Sequence, residues 1–124
     1  MRQADPAVQA FLCEAQDNLL AYSILGDPKY VAYRWHRHVA RRLEAAVARG
    51  RGRIMVFAPP QHGKSRLVSK QLPPWIFGKH PDWPIIAASY GIDLAEENGQ
   101  AVRDQLASPV HAAVFLQKPV RTET

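Results

Sequence analysis

Eight consecutive residues combine the groups that proteins use to hold a polyphosphate. Residues 58–65, APPQHGKS, match the phosphate-binding pattern GxxxxGK followed by Ser or Thr at every fixed position except the first, where Ala58 replaces glycine. Gly63 allows close approach of the backbone to phosphate oxygens, and Lys64 is expected to reach the β- and γ-phosphates. Ser65 offers the hydroxyl oxygen that Mg²⁺ prefers. The motif therefore predicts a site for ATP and Mg²⁺.

The predicted nucleotide site extends beyond the Gly-Lys-Ser tripeptide. The alternative for this stretch is an ordinary turn from strand to helix with Lys64 in solvent, and His62 either shapes the loop or faces solvent. With Ser65 as the magnesium ligand, the predicted nucleotide-binding residues are Pro60, Gln61, His62, Gly63, Lys64, Ser65 and Arg66.

The segments around the motif predict an α/β fold. Residues 54–58 and 85–89 are short apolar runs that are typical of strands buried on both faces. Helices are expected after the loop, from Arg66 until the proline pair at residues 73–74, and over residues 93–106, where small residues would lie against the sheet. The alternation of strands and helices predicts a partial P-loop NTPase fold, with a parallel sheet and crossover helices. Only two strands are evident, so this sheet looks unfinished.

Two helices are predicted ahead of the first strand. Asp5 and Pro6 are suited to cap and open a helix that ends near Gly26, and a second helix over residues 30–48 is stopped by Gly50. The sequence thus divides into a helical region with a basic segment, residues 1–52, and an incomplete P-loop ATPase domain, residues 53–124. Residues 110–115 fit either a short helix or a strand.

The charge is concentrated in one segment. The chain carries a net charge of +5, and residues 34–53 contain seven arginines against one acid, Glu44. Such a segment attracts polyanions, of which nucleic acid is the commonest in cells, although a solvated helix face explains the pattern equally well. The candidate DNA contacts are Arg34, Arg37, Arg41, Arg49 and Arg51.

Aromatic residues next to this segment offer platforms for a nucleobase. Tyr33, Trp35 and His36 are candidates for stacking on adenine because they lie just upstream of the predicted phosphate loop. The favoured alternative places Trp35 in the core. The sequence contains no apolar run long enough for a membrane span and no secretory leader, so we expect a cytoplasmic chain.

The longest strings resemble a known family. Residues 53–115, with APPQHGKS, the turn FGKHPD and the strand end ASYG, resemble the N-terminal ATPase region of the terminase large subunit of bacteriophages and prophages. Together with YRWHRHVARRLEAAVARGRG upstream, the resemblance covers about two thirds of the chain. It implies a RecA-like ATPase that translocates double-stranded DNA in the bacterial cytoplasm. It also implies a terminase small subunit and a portal or capsid as partners, and a homo-oligomer at full length.

Two parts of such a motor are missing from the sequence. No apolar run ending in paired acids follows Leu106, and the last twenty residues contain one carboxylate, Glu123, where a nuclease needs several. We therefore expect a fragment that binds ATP and Mg²⁺ weakly and hydrolyses little by itself. The alternative is an accessory module that binds DNA or capsid without nucleotide; a small P-loop kinase ranks last.

Overall fold

The computed structural model describes residues 5–58 and 66–115, and all regular structure in these two ranges is helical. A π-helical turn, Arg66–Gln71, directly precedes the fourth of six α-helices. The α-helices are α1 (Pro6–Asp17), α2 (Leu19–Gly26), α3 (Arg34–Arg49), α4 (Leu72–Lys79), α5 (Ile92–Ala107) and α6 (Pro109–Phe115).

The predicted parallel sheet of a P-loop fold is wrong, and the described chain is all-α. Residues 54–58 and 85–89 are not helical, but neither segment forms a backbone hydrogen bond with a described residue. Met55 and Ile86 are 83% and 93% exposed, where buried strands were expected. An apolar run favours an extended backbone, but a strand exists only when a neighbouring strand takes up its N–H and C=O groups. Among the described residues no such neighbour is present.

The N-terminal helix begins as predicted but is divided in two. The Asp5 side chain accepts a hydrogen bond from the Ala7 amide at 3.0 Å, and Pro6 occupies the first turn, so the predicted start is confirmed. Asn18, with φ −124° and ψ 103°, then separates α1 from α2. Its side-chain oxygen accepts from the Ala21 amide at 3.0 Å, so Asn18 caps the second helix.

Helix α2 forms the centre of the core. Its sequence, LLAYSILG, contains no charged residue, and its first five residues are all buried. A helix that is apolar on all sides is stable when other elements surround it, and α1, α3, α4, α6 and the π-helical turn all contact α2. The core combines residues from both ends of the described chain: Ala15, Leu19, Leu20, Ala21, Tyr22, Tyr30, Ala40, Leu43, Leu67, Trp75 and Val114.

Helix α4 begins at the proline pair that was expected to break or kink the helix before it. Pro73 and Pro74 lie in its first turn, where a missing N–H costs no helical hydrogen bond, and the preceding turn is π-helical. Trp75 is buried and donates from Nε1 to the Ala15 carbonyl at 3.1 Å. Gly78 lies directly against the ring of Phe115, which fixes α4 to α6.

Helices α5 and α6 complete the bundle. The small residues of α5 do not pack on a sheet: Ala95 and Gly99 are exposed, and the buried residue of this helix is Gln105. Residues 109–115 form a helix, so residues 110–115, for which the sequence allowed a short helix or a strand, are helical. His111 of α6 is buried and forms a hydrogen bond of 2.8 Å with the hydroxyl of Tyr22.

Candidate nucleic-acid interface

Helix α3 displays a basic surface. All seven arginines of residues 34–53 are exposed. The core-facing side of α3 consists of His36, Ala40 and Leu43, so the arginines occupy the remaining arc of the helix and the segment that follows it. We call this set the arginine face: Arg34, Arg37, Arg41, Arg42, Arg49, Arg51 and Arg53.

No ion pair between the arginine face and an acid is present among the described residues. The ion pairs among the described residues all involve other cations. Glu44, the single acid within residues 34–53, instead accepts a hydrogen bond from the Leu19 amide at 2.8 Å. Burial raises the pKa of the Glu44 carboxyl, and the Leu19 hydrogen bond and nearby Arg41 only partly oppose the shift. Glu44 therefore faces α2, in a pocket that Glu14, Arg37 and Arg41 also line.

The chain reverses direction after α3. Gly50 adopts the left-handed conformation, with φ 72°, that suits glycine at the end of a helix. Gly52 then lies so close to α3 that a Cβ atom there would be 3.0 Å from the Cβ of Ala46. Residues 52–58, which we call the arm, run back along α3, and a groove separates the two.

The end of the groove near the start of α3 is a pocket of about 600 Å³. Volumes of this order hold small ligands in proteins. The pocket is lined by two large aromatic side chains, three aliphatic ones, an arginine and a histidine: Trp35, Phe57, Val39, Val56, Ala58, Arg34 and His38.

The three candidates for adenine stacking are neighbours, but only two retain exposed surface. The His36 ring is buried, 3.9 Å from the Trp35 ring centroid and 5.8 Å from that of Tyr33. Its Nδ1 atom accepts from the Tyr33 amide at 3.0 Å, so His36 anchors the start of α3. Trp35 is half-buried and lies outside the core cluster, contrary to the favoured alternative. Tyr33 is exposed.

The predicted nucleotide-binding residues from Pro60 to Ser65 lie outside the described residues, and with them the predicted magnesium ligand. Arg66 is described, and its guanidinium pairs with the Asp27 carboxylate at 3.0 Å. In the described residues the motif is followed by the π-helical turn Arg66–Gln71. The arm before the motif forms no hydrogen-bonded strand with any described residue.

In the ranges 5–58 and 66–115, no cluster of three or more His, Cys, Asp or Glu side chains is arranged to hold a metal ion. Tyr90, which directly follows the predicted strand of residues 85–89, is 99% exposed.

Several groove residues were not anticipated as functional. Phe57 and Val56 belong to the apolar run that predicted a buried strand, yet Phe57 is 87% exposed. Arg42 and Arg53 were part of the basic segment but not of the predicted DNA contacts, and both line the groove. The glycines at positions 50 and 52, which bring the arm back to α3, are the one signal in the sequence for this arrangement.

Comparisons with protein-family models, with curated proteins and with solved structures gave no match. The basic surface, the groove and the motif are therefore interpreted from their own chemistry. None of the helices in the described part of the chain has both the length and the apolar character needed to cross a bilayer.

Proposed function

We propose that this chain binds double-stranded DNA through the arginine face. The observation that carries the proposal is the exposure of seven arginines, none of which is paired with an acid among the described residues. Arginine presents a planar set of donors that matches phosphate oxygens, and unpaired arginines lose no internal ion pair when they bind them.

The dimensions of α3 suit a phosphate backbone. A helix of 16 residues is about 24 Å long, the length of about seven base pairs. Arg34, Arg37 and Arg41 follow one another at helical spacing on one side of it. Backbone contacts of this kind give affinity without sequence preference, so we expect dissociation constants of about 1–100 μM at physiological salt.

The test compares two pairs of substitutions that remove the same charge. The double variant Arg34→Gln/Arg41→Gln changes the arginine face, whereas Lys29→Gln/Arg103→Gln removes two exposed cations elsewhere. In fluorescence anisotropy with a 20-base-pair duplex at 0.1 M salt, we expect the first pair to weaken binding about tenfold or more and the second to change it less than twofold. Equal losses from both pairs would show that net charge, not this surface, attracts DNA.

A second candidate function concerns the APPQHGKS motif. We propose that this chain is the ATP-binding part of a terminase large subunit, a component of a viral DNA-packaging motor, with ATP and Mg²⁺ held at residues 60–66. The support is the motif itself, with the FGKHPD and ASYG strings that follow it. Lys64 would bind the phosphates and Ser65 the magnesium ion, which together neutralise charge during phosphoryl transfer.

Isothermal calorimetry with a non-hydrolysable ATP analogue and Mg²⁺ tests this second function. We expect weak binding that Lys64→Ala abolishes, with duplex affinity unchanged. Analogue binding that survives Lys64→Ala would disprove the phosphate-loop reading. A chain that binds duplex but no analogue would be the nucleotide-independent accessory module.

A further inference from the structure

We propose that the groove between α3 and the arm binds unpaired bases of single-stranded DNA, with Trp35 and Phe57 as the stacking surfaces. This inference rests on the proposed DNA-binding function and goes beyond it, because it assigns a separate site to bases. The arginine face offers hydrogen-bond donors but no platform on which a base can stack.

Two aromatic rings offer surfaces on which a base can stack. Trp35 and Phe57 line the same pocket, and among the described residues the one aromatic ring stacked on Trp35 is that of His36. Phe57 is 87% exposed, an unusual position for a large apolar ring, and no ring of another described residue contacts it. Every nucleobase offers a flat π-face to such a platform, which makes stacking tolerant of sequence.

The positive charges along the groove favour a polyanionic ligand. Arg34 lies at the aromatic pocket, and Arg42, Arg49 and Arg53 line the groove towards the other end of α3. None of the residues that line these two parts of the groove is acidic. A peptide strand without acidic residues would satisfy the apolar surface but would leave the arginines unpaired, whereas a single strand of DNA supplies both bases and phosphates.

A duplex cannot use this groove in the same way. Its bases are stacked on one another inside the helix, so their flat faces are not available to Trp35 and Phe57. A single strand can turn its bases towards Trp35 and Phe57 while its phosphates follow the arginines. The groove therefore predicts that unpaired bases add affinity beyond the phosphate contribution.

The experiment measures this contribution with matched oligonucleotides. The full chain is titrated against fluorescein-labelled dT10 and against an abasic ten-mer with the same phosphates, by anisotropy at 0.1 M salt. We expect dT10 to bind about tenfold tighter for each stacked base. Phe57→Ala should reduce the ratio of the two affinities at least fivefold and leave abasic binding unchanged. Because Phe57 is exposed, this variant should fold normally.

Tyr90→Ala is the control, since Tyr90 is an equally exposed aromatic residue outside the groove. It should leave the ratio as in the wild type. Equal affinity for dT10 and the abasic strand, or a ratio that Phe57→Ala does not change, overturns the base-binding site while duplex binding stands. If neither strand nor duplex binds, the proposed DNA-binding function itself fails, and the base-binding site with it.

Discussion

The hydroxyl group of Tyr22 lies 2.8 Å from Nδ1 of His111, and both residues are buried. This hydrogen bond connects the central helix α2 to α6, and their rings also meet edge to face with centroids 5.9 Å apart. Because a buried polar group is stable only with a partner, the pair fixes the position of α6 on the bundle.

Tyr22→Phe should therefore destabilise the protein. The substitution keeps the ring but removes the hydroxyl, and we expect the free energy of unfolding to fall by about 1–3 kcal/mol. Urea unfolding followed by circular dichroism measures the change. Tyr33→Phe is the matched control, because the Tyr33 side chain is exposed, and it should change stability by less than about 0.5 kcal/mol. Equal effects would mean that the Tyr22–His111 bond does not stabilise the fold.

Tyr30 should behave in the opposite way. Its hydroxyl is buried but has no hydrogen-bond partner among the described residues. Tyr30→Phe removes this cost, so we expect stability at pH 7 to stay the same or to rise by about 1 kcal/mol. A clear loss of stability would show that the hydroxyl has a partner.

Tyr30 should also make the stability of the protein depend on pH. Burial raises the pKa of Tyr30 from 10.0 to about 12, although the positive charge of Arg66 opposes the shift. Between pH 10 and 12 the folded protein keeps this proton while the unfolded chain loses it. Ionisation of Tyr30 therefore leaves the free energy of unfolding unchanged below pH 10 and lowers it as the pH rises towards 12. Unfolding measurements from pH 8 to 11 should show a steeper decline for the wild type than for Tyr30→Phe.

Glu44 offers a test of its inward orientation. Glu44→Ala leaves the Leu19 amide without its acceptor, and we expect a loss of about 1–2 kcal/mol in urea unfolding. Glu44→Gln keeps an acceptor and removes the charge. Because burial raises the pKa of Glu44 in the folded protein, losing its proton costs more there than in the unfolded chain. The free energy of unfolding therefore falls as the pH rises through the titration of Glu44, and Glu44→Gln should be at least as stable as the wild type at pH 7. If Gln is as damaging as Ala, the charge is required.

Alanine substitutions at Gly78 and at Gly99 should have opposite effects on stability. A Cβ atom at Gly78 would overlap the ring of Phe115, so Gly78→Ala should cost about 1–3 kcal/mol. At Gly99 nothing lies within 4 Å of the same position, and Gly99→Ala should stabilise α5 by about 0.5–1 kcal/mol. Thermal unfolding distinguishes the two. A neutral Gly78→Ala would mean that α4 and α6 are not in close contact.

Local signals in the sequence predicted the local structure well. The Asp5–Pro6 start of α1 and the end of α3 at Gly50 depend on backbone geometry within a few residues, and both are confirmed. The sheet failed because strand pairing depends on residues distant in the chain. The apolar run of residues 54–58 shows a preference for extended backbone but not a partner for it.

The candidate site was predictable in its charge but not in its shape. The arginine cluster follows directly from the sequence, and its exposure follows from the apolar and buried positions of α3. The groove could not be predicted, because it depends on the return of the arm along α3 after Gly50. Phe57, counted as a core residue by its hydrophobicity, is exposed for the same reason.

The dependence of duplex affinity on salt concentration tests the central claim most directly. Each arginine–phosphate contact releases counterions and adds about −0.9 to the slope of log K against log salt concentration. Between 50 and 300 mM NaCl we expect a steep negative slope for the wild type, and a slope shallower by about 2.7 for the triple variant Arg34→Gln/Arg37→Gln/Arg41→Gln. A slope near zero for the wild type, or an unchanged slope in the triple variant, would contradict DNA binding through the arginine face.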